Sequence, residues 1–462
     1  MLFQLRIIPS LVDLGSTPGN LHANISSTHP DHRHRGTRLN LPFNKDSSPW
    51  AVDKDRPRCQ NLWMGCRNLP EATHLPHTER MPENNTPSSA PVLGTPGDLI
   101  ANIPGILGFF PTESLVFAAM FREGSGPRHT LGPVIRVNID ELHLLPELGQ
   151  AITSVEADLI FCFAITEQAN SATIEETVDT LFDAAEAGTI PITACWVTAG
   201  IYSGETYQLA FGPSPDELGS TCRGLSEWEH GRIAPITQAQ ATQNLLEHGH
   251  LPELTRTDAY SAYDRDNRFL TTEGIADLTT QAQEIGDDIL HAIRTNPEGG
   301  AFDAALDGFD TIMHRATTRS PGTNHTALLQ KPGLLRDSAA YLTSLLLRDA
   351  ILHHAVHTPD VASDLFLAVA KTFNGTIRSN ALCLFAISAI QRRLGMKAIP
   401  ALEAAQITDP GHSFSALLQR GLMDGQSDSM VDACMRGNDM VRTHYGTRAG
   451  ADPDESEPAQ AA

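Results

Sequence analysis

The chain reads as an α/β domain with a mixed sheet followed by an all-α domain. Between residues 92 and 235, apolar runs of strand length alternate with segments of 3.6-residue periodicity. From about 236 onward the period is helical throughout, and Gly or Pro splits one segment from the next. Both ends are different again: polar and Pro-rich before residue 92, acidic after 443. The expected division is a disordered extension over 1–91, the α/β domain over 92–235, the helical domain over 236–443 and a disordered acidic tail over 444–462. Met81, which leads into PENNTPSSAPVLGTPGD, is the expected translation start, in which case the stretch before it is not natively translated.

The first element is a helix capped by Thr95, with Pro96 at the first helical position and Asp98 facing the positive end of the dipole. Pro104 is expected to end it, and the chain to loop through Gly105, Gly108 and Pro111. Leu115–Phe121 does not alternate, as in a strand covered on both faces. GSGPRHTLG then turns the chain into a strand over Pro133–Ile139, with Val134, Arg136 and Asn138 on one face and Ile135, Val137 and Ile139 on the other. Leu142–Val155 suits a helix and Asp158–Ile165 a buried strand. Thr173 and Glu176 form a capping box for the next helix, which Gly188 closes. Pro191–Thr198 is a strand, and Ser203-Gly204 turns it into Glu205–Phe211. Two β-α-β units make the middle strands parallel and the flanking hairpins make the sheet mixed.

Helices are expected over Thr237–Glu247, Thr257–Tyr263, Thr272–Arg294, Ala301–Thr318, Arg336–His357, Ala362–Phe373, Ser379–Leu394, Lys397–Ile407, Ser413–Met423 and Asp428–Arg442. Leu382, Ala386, Ala398, Leu402, Ala405 and Pro410 sit near the positions of one tetratricopeptide unit, a spacing that any tight helical pair shares.

Asp98-Leu99-Ile100, Pro104, Leu107-Gly108-Phe109, Pro111 and Glu113-Ser114-Leu115-Val116 resemble the opening motif of an actinobacterial family, domain of unknown function 4192. The resemblance runs from about Thr95 to about Gly425, with echoes at Arg136, Arg348-Asp349 and Asp409-Pro410. It implies a two-part bacterial intracellular protein and no assigned activity.

The net charge of −22 is uneven: residues 1–80 carry +3 and the remainder −25. So acidic a body disfavours nucleic acid and anionic lipid. No apolar run reaches membrane-spanning length, and the seven cysteines form no C-x-x-C pair, so a cytoplasmic protein is expected. Walker, G-x-G-x-x-G, H-E-x-x-H and G-x-S-x-G signatures are absent. These features point first to a non-enzymatic interaction or regulatory protein that meets a protein partner through its helical half.

The alternative is an enzyme or sensor that holds a small anionic metabolite or nucleotide in the α/β domain. Its candidate ligand-binding residues are Glu113, Ser114, Arg136 and Asn138, which could supply a carboxylate, a hydroxyl, an anion-binding guanidinium and an amide. The bland reading is that Arg136 pairs with a local acid while Glu113 and Ser114 cap a loop. A second set comes from the carboxyl ends of the parallel strands: Asn138–Asp140, Thr166-Glu167 and Thr198. His353 and His357 stand at i, i+4 beside His354 and Asp360, but no third ligand follows in sequence. His29, His32 and His34, with Cys59 and Cys66, match no zinc spacing. No metal and no cofactor are expected.

Overall fold

The computed structural model describes residues 2–4, 11–13, 92–124, 128–218, 225–296, 300–317 and 325–446. Strands β1 (Leu2–Gln4), β2 (Leu11–Asp13) and β3 (Val92–Leu93) precede helix α1 (Pro96–Leu107). β1 and β2 fall within the stretch expected to lack structure and run parallel to a later strand. The His29, His32, His34, Cys59 and Cys66 tract, Met81 and the acidic tail beyond residue 446 lie outside the described residues.

Then come β4 (Ser114–Arg122), β5 (Arg128–Asn138), α2 (Leu145–Ser154), β6 (Leu159–Ile165), α3 (Ala172–Glu186), β7 (Ile192–Thr198), β8 (Thr206–Phe211), α4 (Pro215–Leu218) and β9 (His230–Arg232). The sheet order is β3-β1-β5-β4-β6-β7-β8-β9, with β2 also against β5. β4 is antiparallel to both β5 and β6, so β5, β6 and β7 point the same way. β5 begins at Arg128 rather than at Pro133, because Leu131, Thr130 and His129 extend the ladder opposite Met120, Phe121 and Arg122. The Glu123 N–H donates to the Arg128 carbonyl at 2.8 Å and closes that end of the pair.

The unbroken apolar runs mark strands buried on both sides, as their pattern predicts. Leu115, Phe117, Ile135, Val137, Cys162 and Cys195 face α2 and α3, where Leu148, Ile152, Ile174, Val178 and Leu181 cover them. Val116, Ala118, Val134, Phe161, Phe163 and Trp196 face the opposite way. Trp196 stacks on Phe163, with ring centroids 5.4 Å apart, and its indole N–H donates to the Trp228 carbonyl at 2.8 Å.

The helical half comprises α5 (Gln240–Glu247), α6 (Arg256–Ser261), α7 (Thr272–Thr295), α8 (Ala301–Ala316), α9 (His325–Leu328), α10 (Pro332–Ala340), α11 (Leu345–Ile351), α12 (His353–His357), α13 (Pro359–Thr372), α14 (Gly375–Gln391), α15 (Gly395–Thr408), α16 (Ser413–Met423) and α17 (Ser427–Tyr445). Among the described residues no strand follows β9, although a lone bridge pairs Phe109 with Glu253. α14 is buried from Ile377 to Ile390 and forms the centre of this half. Leu382, Ala386, Ala398, Leu402 and Ala405 are core residues of the α14–α15 pair.

Arg336–His357 is three helices rather than one. Ser344 restarts the chain as a cap, its hydroxyl accepting from the Leu347 N–H at 3.2 Å. Asn380 donates to the Leu342 carbonyl at 2.8 Å, so the break leaves that buried acceptor paired.

α1 shows why burial overrides a local rule. Its start follows the sequence: Thr95 Oγ1 accepts from the Asp98 N–H at 3.2 Å, and Asp98 Oδ2 accepts from the Thr95 N–H at 3.0 Å. It does not stop at Pro104, however, but continues to Leu107 and ends on Gly108 at φ 82°. An interior proline costs about 3 kcal/mol. Burial of Leu99, Ile100, Ile103 and Leu107 outweighs that cost.

Gly105 lets the α5 backbone cross α1 closely, since a Cβ there would stand 2.4 Å from the Ala241 carbonyl carbon and 2.5 Å from the Thr242 nitrogen. Asn102 accepts the Ala241 N–H at 3.0 Å and so caps α5 from across the contact. Gly105→Ala should therefore destabilise by about 1–3 kcal/mol in urea unfolding, although alanine favours the helix by roughly 1 kcal/mol. A neutral result would show that the two helices can separate freely.

One apolar cluster extends from the Val116–Trp196 face of the sheet through α1 and α5 into α7, α8 and α10–α17 without interruption at position 236. The change of secondary-structure class falls where the sequence places it, and the packing is continuous across it. Among the described residues no helix is long and apolar enough to cross a membrane.

Candidate functional site

Because β4 opposes β5 and β6, its first residues meet the last residues of both neighbours at one edge of the sheet. An open cleft of about 760 Å³ lies there. It is lined by Thr112 and Glu113 before β4, Arg136 and Asn138 of β5, Asp140 beyond it, Thr166 and Gln168 after β6, and the start of α3.

Glu113 sits at φ 44°, a left-handed conformation unusual for a residue with a side chain. Its carboxylate is the reason it can stay there. Oε2 accepts from the Thr166 hydroxyl at 2.7 Å and Oε1 from the Glu167 N–H at 3.0 Å, which ties the loop before β4 to the end of β6. The Glu113 carbonyl also accepts from the Ile139 N–H at 3.0 Å, fixing the end of β5. Strain held by three such bonds at the mouth of a cleft gives a rigid rim.

Ser114 is fully buried and does not line the cleft. Its hydroxyl donates to the Thr112 carbonyl at 2.7 Å and accepts from Arg136 Nε at 2.9 Å, so it orients the guanidinium. Arg136 is only 5% exposed. Asn138 Nδ2 donates to Glu141 Oε2 at 2.8 Å, and its backbone N–H shares that acceptor at 3.2 Å. The four residues named from sequence thus form one connected region: Glu113, Arg136 and Asn138 line the cleft, and Ser114 supports it from behind.

α3 is capped by Ser171 rather than by Thr173, because the Ser171 hydroxyl accepts from the Ile174 N–H at 3.4 Å. Thr173 thereby falls in the first turn, where it lines the cleft with Ser171, Glu176 and Thr177. The positive end of the helix dipole faces the same space as Arg136. Of the residues expected at the carboxyl ends of the strands, Asn138, Ile139, Asp140 and Thr166 line the cleft. Glu167 contributes its backbone N–H to Glu113. Thr198 turns away, donating to the Gly200 and Thr206 carbonyls.

A sequence model of the family described as Domain of unknown function (DUF4192) matches residues 96–429, well over half of the chain. The chain belongs to this family. No curated protein and no solved structure gives a match. The DUF4192 match takes in the whole cleft, from Thr112 to Thr177, together with the helices that roof the other side of the sheet. It also takes in Arg348-Asp349 and Asp409, whose setting is structural. Buried Arg348 pairs with Asp349 at 2.6 Å, donates to Asn380 at 3.1 Å and lies 4.2 Å above the Phe414 ring.

The histidines of this DUF4192 chain are grouped differently from the i, i+4 pair that the sequence suggests. His353 and His354 face each other with ring centroids 3.9 Å apart, and Asp310 of α8 reaches His354 Nε2 at 3.0 Å. His357 stands farther off, 6.4 Å from His353 between ring centroids, while Asp360 pairs with Arg392 at 2.7 Å. Burial is the main cause holding both His353 and His354 down to about 4, with Arg442 adding its charge. Sequence reasoning could not find Asp310, because nothing local links α8 to α12.

Proposed function

We propose that the cleft binds a small polar metabolite that carries a carboxylate or phosphate together with hydroxyl or amine groups. What carries this reading is the gathering of Arg136, Asn138, Thr166 and the first turn of α3 on one cleft at the carboxyl edge of the sheet. Open α/β sheets hold ligands at that edge, and the volume suits a metabolite. A guanidinium and a helix N-terminus favour the anionic group. Asp140 and Glu176, which also line the cleft, supply acceptors for the ligand's donors, whereas both Glu113 oxygens are committed to Thr166 and Glu167.

A protein partner for the helical half is the second reading, supported by Leu345, Ile407, Leu417 and Met440, each more than 60% exposed. Scattered apolar groups are ordinary on a surface. The cleft, which draws groups from several segments, carries the conclusion. Free thiols at Cys162, Cys195 and Cys383 support a reducing, cytoplasmic setting.

Thermal-shift measurement against a panel of carboxylate and phosphate metabolites tests the proposal, followed by Thr173→Glu on whichever compound binds. Thr173 is exposed, and a glutamate in the first turn of α3 suits the dipole, so the fold should keep its stability within about 0.5 kcal/mol. Binding should weaken at least about tenfold, because the new carboxylate faces the ligand's anionic group. Undiminished binding by Thr173→Glu would remove the cleft as the site.

A further inference from the structure

We infer that Asp310, His353 and His354 form a binding site for a late first-row divalent cation such as Zn²⁺, with Arg442 guarding it. One donor atom from each of the three side chains can be chosen so that all lie within 4.8 Å of one another. Donors around a tetrahedral zinc, bound at roughly 2.1 Å, stand about 3.4 Å apart. His354 Nε2 and Asp310 Oδ1 are already at 3.0 Å. Closing the remaining separation takes movement of little more than about 1 Å, and Asp310, 60% exposed, has that freedom.

The chemistry of the set is consistent with such an ion. Two imidazoles and one carboxylate are a common zinc ligand set, and they leave a fourth position for water or another donor. The rings are also held in place. His354 packs on Phe309, with centroids 5.1 Å apart, and His353 is hydrogen-bonded to the Ala350 backbone, as ligating histidines commonly are.

Arg442 Nη1 lies 2.8 Å from His353 Nδ1 and 3.1 Å from Nε2. The guanidinium thus stands against the His353 ring, and a cation entering the site must displace it. Arg442 sits in the last turn of α17 and is only half-buried, so it can swing into solvent. Its charge weakens the site, and its removal should strengthen it.

Zn²⁺ titration of the full chain by calorimetry, with Co²⁺ absorption as the spectroscopic probe, decides the matter. Wild type should show the visible bands of four-coordinate Co²⁺. Asp310→Asn, at an exposed position, should lose them and bind Zn²⁺ at least about tenfold more weakly at this site, while unfolding like wild type without metal. Arg442→Gln should bind Zn²⁺ more tightly and keep the Co²⁺ bands. Opposite signs from the two variants separate a ligand site from a general effect on folding. Co²⁺ bands that survive Asp310→Asn, or weakening by both variants alike, would overturn the assignment.

Discussion

Replacing Arg378 with methionine is expected to cost about 3–5 kcal/mol of stability. This side chain, 5% exposed, leaves α14 and meets three separate segments. Nη1 donates to the Ala370 carbonyl in the last turn of α13 at 2.5 Å, Nη2 to the Tyr263 carbonyl beyond α6 at 2.8 Å, and Nε to the Thr408 hydroxyl at the end of α15 at 2.9 Å. Ala370 and Tyr263 supply carbonyls of the kind a helix end leaves without an internal donor. Methionine fills much of the space and offers no donor, so two buried carbonyls and a hydroxyl lose this partner together. Against a total of about 5–15 kcal/mol, the loss should be plain as a lower urea midpoint with little change in slope. A shift worth less than about 1 kcal/mol would show that water replaces the guanidinium at no great cost.

Stability of the metal-free protein should fall steeply as pH drops from 6.5 toward 4. Burial, with Lys397 and Arg392 nearby, lowers His250 to about 3; burial, with Lys371 nearby, lowers His325 to about 4. His353 and His354 are lowered to about 4 and act in the same sense. The unfolded chain protonates these rings below 6.5, while the folded one resists until near 4. Unfolding therefore takes up protons in that window, and their contribution, fully present above 6.5, is lost as pH falls.

Asp364 opposes this. Burial raises it to about 6, so the folded state holds a proton there that the unfolded state releases down to 3.8. Four groups, joined by His412, which burial also lowers, against one leave a net uptake of about three protons on unfolding near pH 5; solvent screening at the half-buried rings trims that number without changing its sign. Urea midpoints measured at about pH 7 and about pH 5 give the slope. A midpoint that stays level or rises toward pH 5 would contradict the buried, neutral histidines.

Several elements were legible because their causes are local. The Thr95 cap and the double-sided burial of β4 and β6 each follow from a few neighbouring residues, whereas Ser203-Gly204 turns within a seven-residue connection between β7 and β8 instead of closing a two-residue hairpin. Arg136 and Asn138 were found through strand parity and the carboxyl-edge rule, and Glu113 through its place where the loop enters β4, all of which operate on sequence spacing. What was not legible depends on distant partners. Pro104 stays helical because of what α1 buries, and α10 ends where Asn380 can satisfy a carbonyl from another helix. Thr173 and Glu176 have the spacing of a capping box, yet the bond that caps α3 runs from the Ile174 N–H to the Ser171 hydroxyl. Asp310 meets His354 only because α8 and α12 pack together.

The apolar layer shared by the sheet and the helices limits how this chain can be taken apart or inherited. Severed at 236, the first segment would carry Val116, Phe161 and Trp196 on a bare wall, and the second would lose the surface on which its inner helices rest. Heating should accordingly melt both portions in a single step. Exchange of one portion between relatives would succeed only if the residues on either side of that wall were exchanged with it.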